Sequence, residues 1–324
     1  MVHLYDRTKL DIVACTDRRN VMPTGVMMCS VCVNNSDLDI QFHIITDTDV
    51  TERDCDDLTA VVAPYSRASV CFYHADEQLL EHSFPKVDDL ITRASYFRLY
   101  LTDILPSSIE KVLYLDGDLV VRHSLTELWE TDLSGYALAA VPDMREDTTD
   151  RFEGLGYSKS LGYFNSGVLL INLAYWRDHQ ATKLFDEFLR DRWETIRFHD
   201  QDVLNYVFRE QKMRMPIKYN FQNVFLFKIP EYDRPRYGEE VMAARKDPVI
   251  VHFSGEIKPW KYTYAHHLYQ STFYKYQDMT KWKGVFIDER PYSMRARNIV
   301  GNMLRRMRFL PWIGARYMRI APID

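Results

Sequence analysis

Between residues 10 and 116 the chain alternates short apolar runs with helix-like stretches, and this alternation restricts its fold more than any other feature. LDIVACT (10–16), IQFHIIT (40–46), SVCFYHA (69–75) and KVLYLD (111–116) have the length and β-branched content of buried strands. Between them, MPTGVMMCSVCVNN (22–35) reads as a helix with Pro23 in its first turn, and Thr51 to Ala63 as a polar-faced helix ended near Pro64. TRASYFRLYLTDIL (92–105) reads as a third helix, stopped by Pro106. Strands alternating with helices build βα units, so an α/β fold with a mainly parallel central sheet flanked by helices is expected. Ligands then sit beyond the carboxyl ends of the strands.

Past Asp118 the pattern is mixed. SLTELWETDL (124–133) reads as a short helix, ALAAVPD (137–143) as a strand, and the polar, Gly-containing segment 144–160 as a loop or lid. YFNSGVLLINL (163–173) is a strongly apolar strand, and helices are expected over 179–197 and 200–210. MRMPIKYN and PVIVHF supply further strands. No linker splits the chain before about residue 285 and no repeat appears, so the expected organisation is one domain over 1–285 and a tail over 286–324.

Composition narrows the function classes. Hydrophobic residues at 46% supply a sizeable core, and 27% charged content argues against a disordered chain. The net charge of −5 hides an asymmetry: residues 290–324 carry eight arginines and one acid, Asp324, leaving −12 for the rest. The body is therefore not a nucleic-acid binder. The tail interleaves Arg with Leu304, Phe309, Trp312 and Ile313, a pattern suited to peripheral contact with an anionic membrane surface; a helix packed back on the body is the plainer alternative. The five cysteines lie within the first quarter, no signal-like segment precedes them and no apolar run reaches the ~18 residues of a membrane span, so a cytoplasmic location at the inner membrane face is expected. Cys29 and Cys32 form a CxxC without a second pair at zinc-finger spacing, which reads as two small residues on a buried helix face.

Four segments carry chemistry. In LYLDGDLVV (113–121) an apolar strand delivers Asp116 and Asp118 to its end with Gly117 between them; paired hard oxygen donors suit Mg²⁺ or Mn²⁺ on phosphate oxygens, although a solvated hairpin turn has the same composition. In VIVHFSGEIKPW (249–260) a strand ends at His252, and Gly255 and Lys258 follow as candidates for a diphosphate; an imidazole added to two carboxylates favours Mn²⁺. In YFNSGVLLINL, Asn165 and Ser166 offer an amide and a hydroxyl to sugar hydroxyls, or form a polar turn. In FHDQDVLNYVF (198–208), Asp200 either caps a helix or joins Gln201 and Asp202 at a reacting sugar.

Taken in order, YFRLYL, KVLYLDGDLVV, SLTELWETDL, FNSGVLLINL, HDQDVLN and HFSGEIKPW resemble glycosyltransferase family 8 over residues 10–262, most closely its bacterial lipopolysaccharide galactosyl- and glucosyltransferases, with glycogenin a more distant relative. The resemblance implies a nucleotide-diphospho-sugar transferase fold of the GT-A type over 1–285, a UDP-galactose or UDP-glucose donor, and retention at the anomeric carbon. It implies Asp116, Asp118 and His252 as metal ligands, with Mn²⁺ or Mg²⁺ as cofactor. Thr16 and Asp17 match a uridine-binding turn, Arg98 an arginine near the donor, Asp143, Asn165, Asp200 and Gln201 positions touching the transferred sugar, and Gly255 and Lys258 diphosphate contacts. One departure is Arg19, which stands where relatives commonly carry Asn or another small polar residue.

The implied reaction is hexose transfer to a cell-surface or lipid-linked glycan acceptor. A protein acceptor (an adhesin, or the chain itself) and a sugar-nucleotide-binding role without turnover are the alternatives. Gln201 is a poor nucleophile, so same-face attack, with the departing phosphate taking the acceptor's proton, is preferred to a covalent intermediate.

Overall fold

The computed structural model describes residues 9–75, 93–143, 149–226, 234–255, 258–261 and 267–287. The basic tail over 290–324, and with it the expected membrane contact, lies outside the described residues. No helix among the described residues is long and apolar enough to cross a membrane.

A seven-stranded sheet runs in the order β3-β2-β1-β4-β7-β6-β8. Its strands are β1 (Lys9–Thr16), β2 (Asp39–Thr46), β3 (Ala68–His74), β4 (Lys111–Leu115), β6 (Leu138–Pro142), β7 (Phe164–Asn172) and β8 (Lys212–Arg214). The pairs β1–β2, β2–β3, β1–β4 and β6–β8 are parallel, and β7 runs antiparallel to both β4 and β6. The remaining strands, β5 (Leu119–Val121), β9 (Phe221–Gln222) and β10 (Ile250–His252), form a second sheet in the order β5-β10-β9. The expected α/β class with a mostly parallel sheet holds.

Alternate residues of the central strands feed two separate cores. Leu10, Ile12 and Ala14 join the core around the Val21–Asn34 helix, while Val13, Val112 and Tyr114 face the other one, around residues 93–105 and 173–208. The Val21–Asn34 helix is buried on nearly all sides, which explains its lack of a polar stripe; Cys29 and Cys32 are two of its buried, unlinked side chains. Gly25 on this helix admits Trp282, whose ring would lie 2.2 Å from any added Cβ. The chain stays on the body at least to Ile287, whose amide donates to the Trp260 carbonyl at 2.9 Å.

Two expectations need correction. Residues 92–105 do not form one α-helix: Arg93–Tyr100 is 3₁₀ and only Leu101–Ile104 is α-helical. Burial of Ala94, Tyr96, Phe97, Arg98, Leu99, Tyr100 and Leu101 fixes that path by packing rather than by propensity. The segment 144–160 is not a plain loop, because Thr149–Leu155 is helical and Lys159–Leu161 forms a 3₁₀ turn; 144–148 lie outside the described residues.

The second sheet is buttressed by a buried neutral histidine. Tyr269 N–H donates to His267 Nδ1 at 3.1 Å, so the ring proton is on Nε2, which donates to Asn223 Oδ1 at 2.7 Å. Burial pushes this imidazole down to about 4. Because the folded value lies below the unfolded one, the associated stability is present above ~6.5 and is lost as pH falls towards 4. His267→Gln, which keeps a donor for Asn223, is expected to lose roughly 2–3 kcal/mol less than the unsubstituted protein between pH 7.5 and 4.5. Urea denaturation at the two pH values checks this, and equal losses would count against the neutral-histidine assignment.

Candidate active site

Where the chain order of a parallel sheet reverses, the loops leaving adjacent strands diverge and open a crevice at their carboxyl ends. Here that point lies between β1 and β4, since β2 and β3 extend the sheet the other way. Thr16 and Asp17 leave β1 there, and Asp116 leaves β4. Thr24 Oγ1 donates to Thr16 Oγ1 at 3.2 Å and would lie 2.4 Å from a Cβ on Gly117, so the missing side chain lets the two turns touch.

Asp116-Gly117-Asp118 is the corner by which the chain passes from the first sheet into the second. Beyond it β5 pairs antiparallel with β10 in a register that sets His252 opposite Leu119, next to Asp118. Phe253 N–H donates to the Asp118 carbonyl at 2.9 Å, which locks this register. His252 Nε2 lies 3.1 Å from Asp118 Oδ1 and 3.8 Å from Asp116 Oδ2. One ligand atom from each of the three residues falls within 4.8 Å of the others. The solvated hairpin turn is thereby ruled out: the pair sits in a built cluster.

The polar atoms of this cluster fit a cation. Asn220 Nδ2 donates to Asn165 Oδ1 at 2.8 Å, so its Oδ1, 2.9 Å from His252 Nδ1, accepts that ring proton. In the neutral ring Nε2 then turns its lone pair towards two carboxylates, and Asp118 Oδ1 is buried with no hydrogen-bond partner. Three lone-pair donors converging without a proton between them could hold a divalent metal, with Asn220 fixing the tautomer behind the imidazole. Burial alone would raise the Asp118 carboxyl, but the Lys258 ammonium beside it holds it well below the usual carboxylate range. Lys258 Nζ bonds Asp118 Oδ2 and also donates to the Phe253 carbonyl at 2.8 Å.

Arg98 lies behind the aspartates and is buried. Its Nη2 donates to Asp116 Oδ1 at 2.9 Å, its Nη1 to the Ser166 carbonyl at 2.7 Å and its Nε to the Ser95 carbonyl at 2.9 Å. Asp200 Oδ2 is 3.2 Å from Arg98 Nε; the alignment is too poor for a hydrogen bond, so the contact is an ion pair. Tyr114, whose ring stacks under the guanidinium at 4.3 Å, donates its hydroxyl to Asp116 Oδ1 at 3.0 Å. Burial pushes Asp200 up to about 6; Arg98 opposes that rise and the charge of Asp116 adds to it.

Because β7 runs antiparallel to β4, its amino-terminal residues Asn165 and Ser166 arrive at the same edge, as does Asp143 at the end of β6. Gln201 ties these together: its Oε1 accepts from Asn165 Nδ2 at 3.1 Å and from Ser166 N–H at 3.0 Å, and its Nε2 donates to Asp143 Oδ2 at 3.0 Å. Asp202 does not join this group. It accepts from the amides of Arg197 and Phe198 and from the Tyr163 hydroxyl, so Asp202, not Asp200, secures the start of the His199–Val207 helix. Asp17 Oδ1 accepts from Asn20 N–H at 2.9 Å while its Oδ2 is buried without a partner, and Arg19 is exposed beside it. Gly255 has φ +79°, and among the described residues no atom lies within 4 Å of where a side chain would start.

Sequence reasoning missed Asn220, Tyr114 and Arg151, the last a buried side chain facing Asp143. Tyr114 could have been found from its i−2 spacing to Asp116 on one face of the strand. Nothing local marks Asn220, which lies in the three-residue-spaced turn before a strand of two residues.

The fold recurs in known proteins. The profile of Glycosyl transferase family 8 matches residues 11–264. General stress protein A of Bacillus subtilis is 26% identical over 284 residues, covering 85% of this chain and 96% of that one. Lipopolysaccharide 1,2-glucosyltransferase of Escherichia coli K12 is 27% identical over 237 residues, covering 73% and 68%. The crystal structure of galactosyltransferase LgtC with donor and acceptor sugar analogs superposes with a TM-score of 0.75 at 26% identity, covering 89% of this chain and all of that one. A profile match across most of the chain, on a sheet whose switch point carries the Asp-Gly-Asp corner, makes this protein a glycosyltransferase belonging to glycosyl transferase family 8.

Proposed function

We propose that the protein transfers galactose or glucose, with retention, from a UDP-sugar to a cell-surface or lipid-linked glycan. A divalent cation, Mn²⁺ in preference to Mg²⁺, is held by Asp116, Asp118 and His252. The observation that carries the reading is the convergence of this triad with the Asp143–Asn165–Gln201 network on one edge of the sheet. The lipopolysaccharide glucosyltransferase and galactosyltransferase among the relatives support a hexose donor and a glycan acceptor.

A divalent cation held by Asp116, Asp118 and His252 would supply charge stabilisation for the diphosphate as the sugar–phosphate bond breaks. Lys258 brings a further positive charge to the same place, and the open backbone at Gly255 admits a phosphate close to the chain. Arg98 keeps Asp116 aimed at the cation from behind. Asp143, Asn165 and Gln201 supply a carboxylate and two amides for sugar hydroxyls. Gln201 is no nucleophile, and Asp200 is buried and ion-paired with Arg98, so attack of the acceptor on the face the diphosphate leaves is the route these side chains favour.

The test is calorimetric titration with UDP, UDP-galactose, UDP-glucose, GDP-mannose and CMP-sialic acid in Mn²⁺ and in EDTA. UDP and one UDP-hexose are expected to bind in Mn²⁺ and to weaken by about tenfold or more in EDTA, in line with the loss of a charged ligand contact. Binding of the GDP- or CMP-sugar without UDP would overturn the donor assignment.

A further inference from the structure

Arg151 takes no part in the mechanism above, yet it is among the most confined charges in the described residues. Its side chain is 4% exposed, and its guanidinium lies 4.1 Å over the Tyr163 ring and 3.8 Å over the Phe198 ring. Nη1 stands 3.7 Å from Asp143 Oδ1, too far for a hydrogen bond and close enough for an ion pair. Nε and Nη1 are enclosed and have no hydrogen-bond partner. Burying N–H donors unpaired costs on the order of 1–3 kcal/mol each, a cost that Met or Leu at the same place would not carry. A guanidinium kept there at that cost needs an electrostatic task, and the sugar-site carboxylate it faces is Asp143.

We infer that Arg151 is a positioning residue for the transfer: its guanidinium, clamped between Tyr163 and Phe198, holds the Asp143 carboxylate at the face where the sugar binds. This rests on the sugar-site reading above. Nε and Nη1 are enclosed and Nη1 faces Asp143, so Arg151 acts through Asp143. The clamp also links the parts of the site. Tyr163 lies two residues before Asn165, Phe198 three before Gln201, and Asp143 accepts hydrogen bonds from both Asn165 and Gln201. Moving the guanidinium therefore disturbs Asp143 and its two amide partners together.

The experiment is a double-mutant cycle of Arg151→Met and Asp143→Asn, with Arg151→Lys as the conservative variant, read as the Kd of UDP-hexose against that of UDP in Mn²⁺. Arg151→Met is expected to weaken UDP-hexose about tenfold while leaving UDP within about twofold, and to cost less than about twofold when Asn already replaces Asp143. Arg151→Lys is expected to recover part of the loss, since it keeps the charge without the planar stack. Equal losses on UDP and UDP-hexose, or additive losses in the double variant, would overturn the inference and leave Arg151 a packing residue. If the unsubstituted protein binds no UDP-hexose, the donor reading fails instead. The same cycle on thermal midpoints then decides the pairing: Asp143→Asn should lower the midpoint less with Met at 151 than with Arg, and additive midpoints reject it.

Discussion

Asp118→Asn is expected to lower transfer about 10³-fold, equivalent to roughly 4 kcal/mol of transition-state stabilisation. Of the three converging side chains, Asp118 makes the closest approach to His252 and is engaged with Lys258, so a neutral amide there removes the charge that Lys258 faces and that a bound metal would need. Its Oδ1, buried and without a hydrogen-bond partner, is the atom the cation would take first. An amide can still offer a carbonyl oxygen, but half of its rotamers turn an NH₂ towards His252 and Asp116. The backbone is held by Phe253 N–H on the Asp118 carbonyl, and Lys258 keeps the Phe253 carbonyl as a partner, so the fold should survive. The measurement is Mn²⁺ titration of turnover beside Mn²⁺ binding by electron paramagnetic resonance, which reads the site without needing activity. A variant that keeps wild-type turnover in EDTA would falsify the metal assignment.

The parts of this site that the sequence made legible are those set by a single strand. Asp116 and Asp118 follow an apolar run, and strand geometry alone sends them to one end of the sheet; His252 ends a second such run. What joins them is the register of β5 on β10, and β5 is three residues long, too short to announce itself by periodicity. Asn220 was invisible for the same reason, because its partner strand β9 has two residues. Arg98 was found by resemblance but not its setting. Ala94 and all of 96–100 are buried, so the apolar residues carry no 3.6-residue stripe and the path becomes 3₁₀ around the inward guanidinium. Asp200 and Asp202 are locally interchangeable as helix caps. Only the tertiary contacts separate them: Asp202 accepts from Tyr163 and the amides of Arg197 and Phe198, while Asp200 pairs with Arg98.

Gly167→Ala should be strongly damaging, though it adds one methyl group. A Cβ there would lie 2.3 Å from His252 Cε1, 2.8 Å from His252 Nδ1 and 2.8 Å from Asp116 Oδ2, all well inside van der Waals contact. Neither neighbour can yield cheaply. The imidazole is buried and bound to Asn220, while Asp116 is held by Arg98 and Tyr114. Nor can β7 retreat, since the Gly167 carbonyl accepts from Asp116 N–H at 2.8 Å and the β4–β7 ladder begins at the next residue. The strain therefore has to be taken up by His252 and Asp116 themselves. Overpacking of this kind costs about 1–3 kcal/mol, which for a chain of this size lowers the thermal midpoint by a few degrees. The loss of function should be larger, about 100-fold in turnover with Mn²⁺ affinity down tenfold or more, because misplacing ligands by a few tenths of an ångström acts on the cation directly. Gly255→Ala is the control: its φ of +79° gives backbone strain, but no atom of the described residues lies within 4 Å of the added methyl, so it should cost some stability and leave Mn²⁺ affinity nearly unchanged. Calorimetric Mn²⁺ titrations of the two variants make the comparison. Wild-type Mn²⁺ affinity in Gly167→Ala would mean that His252 and Asp116 do not bind the cation from the positions they occupy here.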